Sequence, residues 1–306
     1  MKSKAKVTLI IISIIAGAFL LTLSGCSFRK ISRFKGIVYQ NAVKSVPEQH
    51  LNIFAPEKHS KLCDVIIFVH GGNWNSGKKS HYNIIGGHWA RKGIVYVVID
   101  YPLSPAAGFE KMANATAKSV RWVKEHILAY GGNPDRIFIS GHSAGGHLAA
   151  LVSIDNSYFK QAGIDNPLAG TILIDAAGLD MHGYLTDEKL DEGHTYLRTF
   201  TSDPVVWKKA TPLYHLHQNL PPMLIFRGGK TYPSIQVSNE KFIKALQDYA
   251  PETAYVIQEK KKHIPMVTQF FNPWNPRYDQ IIEFMKKVKG KRPSSQPAAD
   301  AQIGGQ

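Results

Sequence analysis

The reading turns on Arg136-Ile137-Phe138-Ile139-Ser140-Gly141-His142-Ser143-Ala144-Gly145-Gly146-His147-Leu148-Ala149-Ala150-Leu151-Val152. Arg136 to Ser140 is a short apolar run rich in branched and aromatic residues, as expected of a strand buried on both faces. Ala144 to Val152 is a run of small residues that packs closely as a helix. Between them Gly141-His142-Ser143-Ala144-Gly145 fits G-x-S-x-G. Such a strand-to-helix turn is so sharp that side chains at its flanks would collide, which leaves the central Ser143 hydroxyl exposed as a candidate nucleophile. The pattern alone is only a hypothesis, and its strand and helix context makes it specific.

Working outward, buried strands are predicted at 64–69, 94–99, 170–175 and 223–226, with another strand at 253–258. Leu51 to Pro56 reads as a strand stopped by proline. Apolar residues at helical spacing (Met112, Ala115, Val120, Val123, Ile127) place a helix over 109–130, stopped by Gly131-Gly132-Asn133-Pro134. Further helices are predicted at 235–249 and 278–288. Strands alternating with helices imply an α/β fold: a mostly parallel central sheet with helices on both faces. No period of 20 to 50 residues repeats, which excludes a solenoid. From about 178 to 220 the chain loses this rhythm and carries His, Tyr, Trp and Thr. That insertion is either a lid over a site or a pair of plain surface helices.

His70-Gly71-Gly72-Asn73-Trp74 directly follows the strand at 64–69. A His-Gly-Gly loop there presents backbone N–H groups to a developing oxyanion, together with the N–H after the nucleophile. Gly72, Asn73 and Ala144 are the candidate donors, Gly71 shapes the loop, and His70 is read as structural. Trp74 either walls an acyl pocket or packs the loop.

With these motifs the chain resembles the α/β-hydrolase superfamily, in particular carboxylesterases related to hormone-sensitive lipase and to feruloyl esterases. The resemblance covers roughly Leu51 to Lys287. It includes Asp100-Tyr101-Pro102-Leu103-Ser104-Pro105, similar to an Asp-Tyr-Arg-Leu-Ser-Pro stretch of many such enzymes, with Pro102 in place of arginine. It implies a triad running Ser, acid, His along the chain, hence His263 after the last strand as general base. The acid is where the match weakens. The usual place, after the strand at 223–226, aligns with Thr231, and threonine cannot stabilise an imidazolium as a carboxylate does. Asp175, at the end of the preceding strand, is the first choice, Asp180 the second, and a dyad without an acid the third.

The resemblance implies hydrolysis of carboxylic esters through an acyl-enzyme. A non-catalytic binding protein on a hydrolase scaffold, or an arylformamidase or peptidase-like hydrolase, are the alternatives. Small-molecule esters are the expected substrates, with no cofactor.

The ends of the 306-residue chain have separate readings. Lys2, Lys4 and Lys6 precede an apolar run from Val7 to Leu23 and then Leu23-Ser24-Gly25-Cys26, a secretory pattern. It resembles bacterial lipoprotein signals, which implies a signal peptide at 1–25 and acylation of Cys26. An uncleaved signal anchor is the alternative. Ser27 rather than Asp after the cysteine implies a lipid-anchored place in the cell envelope, at the outer membrane and facing the periplasm. Residues 26–289 would form the hydrolase domain and 290–306 a disordered tail. The apolar content of 44% excludes a wholly disordered chain, and Cys26 and Cys63 alone cannot build a disulfide framework or a thiolate zinc cluster. The net charge of +14 suits an anionic surface. No helix-turn-helix, zinc-finger or RNP signature accompanies it, so no nucleic-acid partner is expected, and no metal cluster or phosphate-binding loop is legible.

Overall fold

A computed structural model describes residues 29–43 and 46–289. The signal peptide expected at 1–25, the acylation expected at Cys26 and the tail expected at 290–306 lie outside them. The described residues from Ile31 onward belong to one compact unit, and of Met1–Lys30 only Arg29 and Lys30 are described.

Eight strands make one sheet: β1 Ile31–Gln40, β2 Gln49–Pro56, β3 Cys63–Val69, β4 Val95–Ile99, β5 Gly132–His142, β6 Leu168–Ile174, β7 Met223–Gly228 and β8 Ala254–Gln258. Their order is β1-β2-β4-β3-β5-β6-β7-β8. β1 pairs antiparallel with β2 and β2 with β4, whereas β4, β3, β5, β6, β7 and β8 run parallel. The helices are α1 Asn83–Arg91, α2 Phe109–His126, α3 Ala144–Ile154, α4 Ser157–Gln161, α5 Met181–Glu188, α6 Thr195–Phe200, α7 Pro204–Lys209, α8 Pro233–Leu246, α9 His263–Thr268 and α10 Arg277–Lys287. This is the α/β architecture expected, a mostly parallel central sheet.

The central strands are apolar throughout because both faces are covered. Successive residues of β3 enter opposite cores: Val65, Ile67 and Val69 pack with Met112, Val120 and Leu148, while Ile66 and Phe68 pack with Trp89, Tyr96 and Ile281. Each such side chain contributes roughly 1.5–3 kcal/mol by leaving water. Beside β3 the strand order reverses direction, β4 lying to one side and β5 to the other. The loops leaving such a switch point diverge and open a crevice at the carboxyl ends of the strands. Those loops are the ones carrying His70 to Trp74 and Ser143.

Several elements depart from expectation. Helix α1 was not legible because Gly86 and Gly87 lower helix propensity. Gly86 is there because a Cβ would stand 2.4 Å from Phe54 Cδ2, so the helix lies directly on β2. The helix predicted at 109–130 ends at His126, and Ile127–Tyr130 tighten into a 3₁₀ turn closed by Gly131 at φ 78°. β5 starts at Gly132, paired with Cys63, rather than at Arg136. The insertion holds three short helices, α5 to α7.

Candidate active site

β5 ends at His142 and α3 begins at Ala144, so Ser143 alone makes the turn, at φ 56° and ψ −125°. A non-glycine residue stays in such a conformation only where its surroundings over-determine it. A Cβ on Gly141 would lie 2.2 Å from the Gly145 carbonyl oxygen, and one on Gly145 would lie 2.1 Å from that of Val69. Both glycines are therefore steric requirements. The turn is fastened by Ser143 N–H donating to the Ile174 carbonyl at 3.3 Å, and by the Ser143 carbonyl accepting from Ala177 N–H at 3.1 Å.

Three of the side chains singled out from the sequence meet in one line. Ser143 Oγ–H donates to His263 Nε2 at 2.8 Å, and His263 Nδ1–H donates to Asp175 Oδ2 at 2.6 Å. His263 is the first residue of α9 rather than a loop residue. Asp175 follows β6, is completely buried, and turns at φ 49° with its N–H on the Phe226 carbonyl. Its Oδ1 accepts the Gly228 N–H at 2.7 Å, and its Oδ2 also accepts the Thr231 hydroxyl.

Asp180, the second choice, is elsewhere. Its carboxylate caps α5 through Gly183 N–H at 3.0 Å and pairs with Lys241 Nζ at 2.8 Å. A carboxylate committed to a helix N-terminus and an ammonium is not the partner of His263. Thr231 cannot replace a carboxylate, as expected, yet its hydroxyl touches one, and Oγ1 lies 3.4 Å from His263 Nδ1. No local sequence signal announces that contact, which depends on β6 and β7 being neighbours. His142, next to the nucleophile, donates from Nε2 to the His263 carbonyl at 3.2 Å. Burial, with the neighbouring His263 second, pushes its imidazole down to about 3, so it stays neutral and structural.

In the His-Gly-Gly loop, Gly72, Asn73 and Trp74 all have positive φ (132°, 52° and 59°). The Gly72 carbonyl accepts from the N–H groups of Asn75 and Ser76 and from the Ser76 hydroxyl. This holds the loop from its carbonyl side. Among the described residues the Gly72 and Asn73 N–H groups have no acceptor, and the Ala144 N–H, first of α3, has none within its helix. His70 is buried, stacks on Tyr101 with centroids 4.5 Å apart, and donates from Nδ1 to the Gly71 carbonyl.

Trp74 both packs the loop and lines the site. Its Nε1–H donates to His147 Nδ1 at 3.2 Å, and His147 Nε2–H donates to the Ala210 carbonyl at 2.7 Å. His147 therefore joins the loop, the elbow helix and the end of α7 in the insertion, and burial holds its imidazole down at about 4. The cleft in front of Ser143 measures about 1020 Å³ and is lined by Trp74, Met181, Tyr184, Tyr196, Tyr232 and Phe271 among others. Met181, Tyr184 and Tyr196 come from the insertion, so it walls the site and is not a detached pair of surface helices.

A family model described as BD-FAE matches residues 51–246, well over half of the chain. The chain belongs to the BD-FAE family. Ser143, Asp175 and Thr231 lie within the BD-FAE match, and His263 lies beyond it. Among curated relatives, a probable isoprenylcysteine alpha-carbonyl methylesterase of Arabidopsis thaliana is 27% identical over 256 residues, 78% of this chain and 52% of that one. Esterase LipQ of Mycobacterium tuberculosis is 29% identical over 213 residues, 66% of this chain and 50% of that one. The chain spans about half the length of these relatives. A solved structure, a truncated form of a carbohydrate esterase from gut microbiota, superposes with a TM-score of 0.71 at 16% identity, over 86% of this chain and 99% of that chain. That likeness shows the α/β-hydrolase fold.

Proposed function

We propose that this protein is a serine carboxylesterase that hydrolyses small-molecule esters through an acyl-enzyme. The observation that carries the reading is the line Ser143, His263, Asp175 opening on a cleft beside the N–H groups of Gly72, Asn73 and Ala144. His263 Nε2 takes the Ser143 proton as Oγ attacks the ester carbonyl. The tetrahedral oxyanion is held by the three backbone N–H groups, a kind of donor whose loss typically costs ~10²–10³ in rate. Asp175 holds the imidazole in the tautomer that leaves Nε2 free and stabilises the imidazolium. The imidazolium then protonates the leaving alcohol, and water, activated by His263, releases the acid.

The relatives named as esterases support this class. The closer kinship with hormone-sensitive lipase and feruloyl esterases belongs to the same reading and rests on the motifs of the sequence. So does the place of the protein: a lipid-anchored chain held through acylated Cys26 at the outer membrane, facing the periplasm. A non-catalytic scaffold was motivated by Thr231 at the usual acid position, and Asp175 on His263 removes that motive. The test is hydrolysis of a chromogenic ester series of graded acyl length together with labelling by a fluorophosphonate. Wild-type protein is expected to be labelled and active and Ser143→Ala to be neither; equal turnover by Ser143→Ala would refute the assignment.

A further inference from the structure

We propose that Thr231 is a positioning residue, its hydroxyl and Asp175 together forming a split acid site in which β6 supplies the carboxylate and the loop after β7 supplies the group that aims it. The proposal rests on the esterase reading and extends it to the threonine that stands where the resemblance places the acid. Asp175 Oδ1 is fixed by Gly228 N–H at 2.7 Å, while Oδ2 is shared by His263 Nδ1–H at 2.6 Å and the Thr231 hydroxyl. The carboxylate is completely buried. These three donors hold it, and a buried carboxylate short of a donor turns or relaxes toward what remains.

Thr231 is well placed for this task. It is buried, and its carbonyl accepts from Gln236 Nε2 at 3.2 Å at the start of α8. The Thr231 hydroxyl is 3.4 Å from His263 Nδ1, clearly farther than Asp175 Oδ2. Its single proton is already given to the carboxylate, so it acts on the imidazole through Asp175. The same distance implies that position 231 lies within reach of the imidazole for a carboxylate of its own. Position 231 is then a second seat for the acid, held by a hydroxyl while β6 supplies the charge.

Two independent consequences are measurable on the purified full chain with p-nitrophenyl acetate. Thr231→Val keeps the shape and removes the donor. It should lower kcat about tenfold, the lower end of what a hydrogen bond to a charged group is worth, with KM nearly unchanged. Thr231→Ser restores the donor and should return kcat to within about twofold of wild type, which separates the hydroxyl from mere packing. Asp175→Asn alone should lose about 10⁴ in kcat. The double variant Asp175→Asn/Thr231→Asp moves the carboxylate to the other seat and should exceed Asp175→Asn by at least about tenfold. Thermal unfolding of each variant identifies loss of fold. A Thr231→Val enzyme as fast as wild type, a Thr231→Ser enzyme as slow as Thr231→Val, or a folded double variant no faster than Asp175→Asn would each overturn the proposal. If the wild-type chain neither hydrolyses the ester nor takes a fluorophosphonate label on Ser143, the esterase reading falls and the role of Thr231 falls with it. A labelled, active wild type with an unaffected Thr231→Val removes the positioning role alone.

Discussion

Two acidic residues five positions apart have opposite surroundings. Asp175 is completely buried and meets only donors, including His263 Nδ1–H at 2.6 Å. Asp180 is buried too, but its partners are the α5 N-terminus and Lys241. Asp175→Asn leaves an amide against the imidazole and favours the wrong tautomer, so kcat is expected to drop by about 10⁴ with the unfolding midpoint near that of wild type. Asp180→Asn still caps α5, since asparagine is as good an N-cap as aspartate, and loses only a half-exposed ion pair worth up to about 1 kcal/mol. Its turnover should stay within a small factor of wild type; ester kinetics on the pair would show the reverse pattern if the acid has been misassigned. The two histidines at the site divide in the same way. His263→Ala removes the acceptor of the Ser143 proton and should cost several orders of magnitude in kcat. His142 bonds only the His263 carbonyl through a ring held neutral by burial, so His142→Ala should cost much less turnover and more stability. Equal kinetic losses would place His142 in proton transfer.

At the scale of elements, His147 ties α3 to the loop after β3 and to the end of α7 in the insertion, through Trp74 Nε1 and the Ala210 carbonyl. The Trp74 bond needs the neutral ring, since a protonated Nδ1 cannot accept, whereas Nε2–H donates to the Ala210 carbonyl in either state. Burial lowers its folded value to about 4 from an ordinary 6.5. As pH falls below about 6.5 the unfolded chain takes the proton first. The contribution of the neutral ring is therefore complete above that pH and is lost progressively as pH falls to about 4. The shift corresponds to a few kcal/mol at most. Wild-type protein should lose thermal stability steeply over that interval. His147→Gln, whose amide can both donate and accept, should lose less over the same interval. Parallel melting curves from pH 7 to 4 decide it, and equal slopes for the two proteins would assign the acid sensitivity to other groups.

At the scale of the whole molecule, the described residues carry the sheet, the cleft and its wall, and the proposed lipid attachment falls on residues before 29. Acyl chains contribute about 0.8 kcal/mol per buried CH₂, so a multiply acylated Cys26 would hold the chain firmly on a bilayer. Cys26→Ser should leave the chain unprocessed or soluble. Detergent partitioning of cell fractions measures this, and equal partitioning of the two proteins would favour a spanning anchor over a lipid.

What the sequence determined by itself is what local sterics and solvation dictate. Apolar runs such as Val65 to Val69, ended by turn residues, fit strands covered on both faces, the glycines of Gly141-His142-Ser143-Ala144-Gly145 mark the sharp turn around Ser143, and the rhythm of strand and helix leaves a mostly parallel sheet. The triad order that the family resemblance implies, laid on the chain order of strands, singled out His263 among 13 histidines. Helix α1 escaped because its two glycines argue against a helix until Phe54 is seen lying against Gly86. The tertiary structure alone decided which carboxylate faces His263, because Asp175 Oδ2 meets a ring 88 residues away only when β6 lies beside β7 and α9 packs on β7. It also decided that Thr231 shares that carboxylate and that the insertion walls the cleft. Hydrogen bonds between the ends of neighbouring strands join residues with no common period or spacing, so only the packed sheet brings them together.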